Sequence, residues 1–142
     1  MNKIFLHLGN QPLANNFQNK EVASSYRLSL KYNTLNNLVS INKRVKNEIM
    51  FNKTYPYRSS QSLALKKHFK KLSDKINKNF KYNKILEIGS NDGSFAKNFK
   101  KKSIICIEPC SDVAKILKKK RFEVFIEYFD KKLVNKLVKK YN

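Results

Sequence analysis

Residues 84–109 constrain this chain more than any other stretch. Ile85, Leu86 and Ile88 form a short apolar run that stops at Gly89. A run of that kind, bounded by turn residues, reads as a buried strand of a parallel sheet. Gly89-Ser90-Asn91-Asp92-Gly93 then makes a tight loop. Residues 94–101 predict a helix, with Phe95 and Phe99 four apart on one face. A second apolar run, residues 104–107, ends at Glu108-Pro109. The order is strand, glycine loop, helix, strand, acid.

That order has a mechanical reason. Glycines let the backbone approach a ligand closely, and a helix N-terminus offers unpaired N–H groups. An acid at the end of the next strand can accept hydrogen bonds from both ribose hydroxyls of a nucleoside. Glu108 follows Glu87 by 21 positions, close to the spacing of about 20 residues between loop and acid in dinucleotide folds. The loop is Gly-x-x-x-Gly rather than Gly-x-Gly-x-x-Gly, which suits a nucleoside with no pyrophosphate to cradle.

Glu87-Ile-Gly-Ser-Asn-Asp-Gly93 followed by Ile107-Glu-Pro109 resembles the S-adenosylmethionine site of the sugar C-methyltransferase family. Two further stretches match in the family's order: Leu8-Gly-Asn-Gln-Pro-Leu-Ala-Asn-Asn-Phe17 and Tyr55-Pro-Tyr-Arg-Ser-Ser-Gln-Ser62. The resemblance covers nearly the whole chain. It implies a small zinc-binding-type domain over residues 1–58 and the first part of a Rossmann-like class I methyltransferase domain over residues 59–142. It also implies S-adenosylmethionine as cofactor and a nucleotide-linked keto sugar as substrate. Glu87, Gly89, Asn91, Asp92, Gly93, Glu108 and Pro109 are then the cofactor-binding residues. Gly89 and Gly93 would let the backbone approach the methionyl part, Glu87 would contact its amino-acid end, and Asp92 would receive the ammonium or act as a helix cap. Glu108 would hold the ribose, since an acid between an apolar strand and a proline has little structural purpose. Tyr57, and less so Tyr55, would line the cleft with hydroxyls that donate hydrogen bonds, Tyr57 being the candidate catalytic residue.

The first domain departs from the family. Where a Cys-x-x-Cys pair is expected before a Gly-Leu-Val-like run, this chain has Asn33 and Asn36 before Asn37-Leu38-Val39. Asparagine cannot replace a thiolate around zinc, so no zinc is expected and the domain is degenerate. Metal binding contributes directly to folding in such domains, so this one is expected to be weakly stabilised. Cys106 and Cys110 have no metal-knuckle spacing and read as buried free thiols. His7 and His68 read as solvated surface residues.

Charge is the strongest compositional signal, with 31 Lys+Arg against 10 Asp+Glu and a net charge of +21. A basic face would suit nucleic acid. The lysines are scattered, however, and Lys, Asn, Ile, Phe and Tyr all have A/T-rich codons. A nucleic-acid partner is therefore disfavoured, while positive potential would help to capture an anionic sugar nucleotide. No apolar run is long enough to span a membrane, and the opening residues lack a cleavage site, so a cytoplasmic protein is expected.

Around the central stretch, residues 26–32 alternate as a strand, and Ser60 or Ser62 can cap the next helix. Leu65, Phe69, Leu72, Ile76 and Phe80 recur at helical spacing. Ser111-Asp112 can cap a further helix whose buried face is Val113, Ala114, Ile116 and Leu117. Residues 122–128 read as a strand, and Leu133, Val134, Leu137 and Val138 mark a last helix. From residue 84 the pattern is βαβαβα, an α/β fold with right-handed crossovers. A methyltransferase domain of this type has further strands and a general base later in its sequence. The chain is accordingly expected to be a fragment, inactive alone. A non-catalytic S-adenosylmethionine-binding remnant and a nucleic-acid methyltransferase are the alternative functions.

Overall fold

The computed structural model describes residues 1–14 and 24–141. Asn15-Asn16-Phe17, the end of the first motif, lies outside the described residues, as does Asn142. The chain divides into two compact units, Met1–Met50 and Phe51–Asn142. Among the described residues no helix is long and apolar enough to cross a membrane.

The first unit is a three-stranded antiparallel sheet of β1 (Asn2–Pro12), β2 (Ser25–Asn33) and β3 (Leu38–Ile41), followed by one helical turn, α1 (Asn47–Met50). The alternating run at residues 26–32 is indeed a strand. β1 was not legible: its pairing with β2 shifts register between Ile4 and Leu6 and again between His7 and Asn10. Gly9 sits in the second irregularity at φ +71°, a backbone conformation that glycine adopts without steric cost. The β2–β3 turn is closed by the asparagines at the expected cysteine positions. Asn33 Oδ1 accepts from Leu35 N at 2.9 Å, and Asn36 Oδ1 accepts from Leu38 N at 3.2 Å. Short polar side chains that bond their own backbone two residues on are turn formers.

The second unit is a mixed α/β body. Strands β4 (Ile85–Ile88), β5 (Ile104–Ile107) and β6 (Glu123–Phe125) form a parallel sheet in that order, with β5 central. Helices α2 (Leu63–Asn79), α3 (Ser111–Lys119) and α4 (Lys131–Tyr141) complete it. All four residues of β5 are buried because both faces of this central strand are covered, whereas β4, expected to be buried, leaves Leu86 and Ile88 exposed. Ile104 and Cys106 pack with Ala96, Phe99, Leu117 and Phe122, while Ile105 and Ile107 pack with Leu133 and Leu137.

The helix expected over residues 94–101 does not form. Two short 3₁₀ turns, Ala96–Asn98 and Lys101–Ser103, take its place. Asn98 explains the break, since its side-chain amide donates to the carbonyls of Ser94 and Phe95 at 3.3 and 3.0 Å. A side chain that takes backbone acceptors in this way competes with helix propagation. Phe95 and Phe99 still meet, ring centroids 5.0 Å apart, and Phe69 of α2 packs edge-on against Phe95.

Of the two serines expected as caps, Ser62 rather than Ser60 caps α2, accepting from Leu65 N at 3.1 Å. The fully buried residue of α2 is Ser73, whereas Phe80 is exposed beyond the helix end. α3 has Cys110 at its N-cap with no side-chain cap bond, so Ser111-Asp112 does not cap it; Asp112 pairs with Lys115 instead. β6 is three residues long rather than the seven of residues 122–128.

Candidate functional site

The site lies where β4 and β5 end. Gly89 N and Ser90 N both donate to Ile107 O, at 2.8 and 3.0 Å. These bonds carry the chain off β4 across the end of β5. The loop then turns through three residues with positive φ: Gly89 at +73°, Asn91 at +49° and Gly93 at +79°. The two glycines serve different ends. A Cβ built on Gly89 would meet nothing within 4 Å, whereas one on Gly93 would come within 2.7 Å of Leu117 Cδ2. Gly89 therefore leaves an open approach to the backbone, and Gly93 lets α3 pack against the loop.

Glu87, Asp92 and Glu108 all gather at this loop, and one of them differs from the other two. Glu108 is buried, at 4% exposure, and both of its oxygens are engaged. Oε2 accepts from Asn91 N at 2.8 Å and Oε1 accepts from Cys110 N at 2.9 Å. The expectation that this acid has little structural purpose is thus corrected: it ties the loop to the start of α3. The correction matters for the N–H groups too. With no α-helix after the loop, the N–H that a ligand would have met at Asn91 is already bonded to Glu108.

Asp92 is also buried and saturated. Its Oδ1 accepts from Ser94 N and Ser94 Oγ at 3.2 and 2.6 Å, and its Oδ2 accepts from Ser60 N at 3.0 Å. Burial alone would raise its pKa, but the hydrogen bonds from Ser60 and Ser94, with Lys120 nearby, outweigh that and hold it below the ordinary value. It closes a turn rather than capping a helix.

Glu87 differs from both. Its Oε2 is buried without a hydrogen-bond partner. Burial pushes its pKa up to about 7; the Ser90 hydroxyl opposes the rise, and the charges of Glu108 and Asp92 add to it. Cys106 and Cys110 are buried free thiols. Burial raises them to about 11 and about 12, so neither is a nucleophile near neutral pH.

The Tyr55–Ser62 motif reaches the loop through its backbone. Asn91 Oδ1 accepts from Ser59 N at 2.9 Å, and Asn91 Nδ2 donates to Tyr57 O at 3.2 Å. With the Ser60–Asp92 bond, residues 57–60 form a strap clamped to the glycine loop. The Tyr57 side chain is 44% exposed. Pro109 is half-buried between Glu108 and Cys110. Residues 55–62 and the glycine loop are therefore brought together, with the oxygen and the nitrogen of the Asn91 amide both engaged on the strap.

Two residues gave no sign of themselves in the sequence. Lys120 donates to Asp92 O at 2.6 Å, holding the loop from the end of α3, and Arg58 donates to the carbonyls of Tyr55 and Tyr57. Neither has a local signal that would point to its acceptor. His7 and His68 take no part in the site. A separate groove of about 880 Å³, lined by Asn77, Tyr82, Asn98 and Phe99 among others, lies at the opposite end of the strands and includes none of the three acids.

Among the described residues no group of three or more His, Cys, Asp or Glu is arranged to hold a metal ion. No protein-family model matches this chain, and no curated protein matches it.

Proposed function

We propose that this loop binds the nucleoside and amino-acid ends of S-adenosylmethionine, and that the chain serves methyl transfer to a carbon of a nucleotide-linked keto sugar. The observation that carries the reading is the convergence of the glycine loop, Glu87 and Glu108 at the ends of two adjacent parallel strands. Ligands of open α/β sheets bind outside the carboxyl ends of the strands. The finer fold assignment, a partial Rossmann-like sheet after a degenerate zinc-binding-type domain, belongs to the same proposal.

The residues present fit the cofactor. Gly89 leaves room for close approach, Glu87 has a buried oxygen without a donor, and each Glu108 oxygen keeps a second lone pair for a ribose hydroxyl. The bound cofactor would supply an electrophilic methyl group. The chain's own part is positioning: Glu108 fixes the loop through Asn91 N, and Asn91 fixes the Tyr57 backbone beside it. In-line positioning accounts for much of the rate in transfers of this kind. The Tyr57 hydroxyl is the candidate donor to an enolate on the sugar.

Calorimetric titration of the full chain with S-adenosylhomocysteine tests the reading. Saturable binding is expected, weakened by about 1–3 kcal/mol in Glu108→Ala, the range for hydrogen bonds to a charged acceptor. Lys118→Ala, on the exposed side of α3, should bind as wild type does. Absence of binding to the folded wild-type chain would remove the proposal.

A further inference from the structure

The lysines look scattered along the sequence, but the second unit gathers eight of them. Residues 75–84 and 94–103 each carry four lysines and no Asp or Glu. The two segments lead into the adjacent parallel strands β4 and β5, so they meet at the end of the sheet away from the glycine loop. Lys84 Nζ donates to Lys102 O at 2.7 Å and joins them. All eight lysines are exposed, and among the described residues none of them forms an ion pair. Asp74, the acid just before the first segment, is already paired with Lys70.

The groove of about 880 Å³ is cut between these segments, with Phe80, Lys81 and Tyr82 from the first and Asn98, Phe99 and Lys100 from the second. The same tetrapeptide, Lys-Asn-Phe-Lys, stands at residues 78–81 and 97–100. Its two phenylalanines have opposite fates. Phe99 is buried and packs edge-on against Tyr82, ring centroids 6.3 Å apart. Phe80 is the C-cap of α2 with extended backbone, which takes its ring off the helical stripe and leaves it 66% exposed. Asn77, also on the groove, accepts from the Tyr82 hydroxyl, and Asn98 donates its amide nitrogen to two carbonyls. Nδ2 of Asn77 and Oδ1 of Asn98 keep no protein partner among the described residues.

A solvated lysine face explains part of this arrangement. Lys78, in the last turn of α2, complements the helix dipole. Residues 94–103 have no α-helix to complement, and crowded like charges repel one another unless an anion joins them. We propose that this groove binds single-stranded nucleic acid, with Lys81 and Lys100 on the phosphates and a base stacked on Phe80. Cationic grooves with an open aromatic ring suit single strands, because every unpaired base offers a π-face. A duplex keeps its bases stacked on one another, and a membrane surface does not enter a concave groove. The groove includes none of the three acids of the glycine loop, so the inference stands apart from the cofactor reading.

The probes are fluorescein-labelled oligo(dT) and oligo(U) of about 12 nucleotides, within the footprint of single-strand binding folds, followed by anisotropy with the full chain. Saturable binding of either is expected, falling steeply between about 50 and 200 mM salt; the tighter of the two tells DNA from RNA by the 2′-hydroxyl. Phe80→Ala should weaken it about 5- to 150-fold, the range for losing one stacked base, and Phe80→Trp should retain it. Because Phe80 lies outside the core, neither change threatens the fold. Lys81→Gln with Lys100→Gln should lower the slope of log affinity against log salt by about 1.4, as loss of two phosphate contacts on a single strand requires. Lys131→Gln with Lys132→Gln, exposed on the first turn of α4, removes the same charge elsewhere and should leave the slope in place. An equal fall in slope for both pairs overturns the proposal, because the charge then acts without a site. Wild-type affinity in Phe80→Ala, or a duplex of the same length bound as tightly as the single strand, overturns it as well. So does binding to phosphatidylserine vesicles with no binding of either oligonucleotide.

Discussion

Gly89 and Gly93 occupy similar backbone conformations, φ +73° and +79°, yet the packing around them predicts different sensitivity. Alanine at Gly89 meets open space, so only the left-handed backbone opposes it, at about 1–2 kcal/mol. Alanine at Gly93 meets the same backbone cost and also drives Cβ into Leu117, which is fully buried against Phe122. Overpacking a filled core costs about 1–3 kcal/mol more. Denaturant unfolding of the second unit should therefore show Gly93→Ala less stable than Gly89→Ala by that margin. Equal stabilities would mean that α3 yields freely at Leu117. The sequence distinguishes neither glycine from the other, because the neighbour that separates them lies 24 residues further on.

At the scale of elements, the loop and the strap form one joint through Asn91 and Asp92. Asn91 satisfies a donor on Ser59, which is itself buried, and an acceptor on Tyr57. Asn91→Gly removes both bonds while easing the positive φ, so it isolates the clamp from backbone strain. Amide exchange at Ser59 should accelerate by about 5–30-fold, which corresponds to about 1–2 kcal/mol of local stability. The amides of β5 should keep wild-type protection. If Ser59 exchanges as in wild type, the strap is held by other contacts and Asn91 does not position Tyr57. Much of this joint was legible in its parts. The apolar runs marked β4 and β5 as strands, though not the exposure of Leu86 and Ile88; both buried thiols followed from the lack of a metal spacing, and the cap is one of the two serines that could have supplied it. The links between the parts were not legible. That Glu108 would close the loop by accepting from Asn91 N, and that Lys120 would hold it by donating to Asp92 O, depends on partners 17 and 28 residues away, of which local propensity carries no trace. The bonds by which Asn98 breaks the helix are local, to residues three and four back, but the helical spacing of Phe95 and Phe99 outweighs them in the sequence.

At the scale of the whole molecule the two units differ in what holds them. The buried hydrophobic residues among those described, from Ala96 to Leu137, all belong to the second unit. In the first unit β1 is exposed along its length and Ser29 is the buried residue of the sheet. Its strands are joined by ladder bonds and turn asparagines, and a sheet without a covered apolar face is marginal in water. Two units with such unequal cores should not unfold together. Heating or denaturant should release the amides of β1, β2 and β3 first, while those of β5 exchange only in the main transition. Limited proteolysis read by mass should accordingly cut within residues 1–50 and spare a product that begins near Phe51. Saturating S-adenosylhomocysteine should then raise the second transition and leave the first in place, because a ligand stabilises only the unit whose folded form it binds. A single transition followed alike by the amides of β2 and β5 would show instead that the first unit draws its stability from the second.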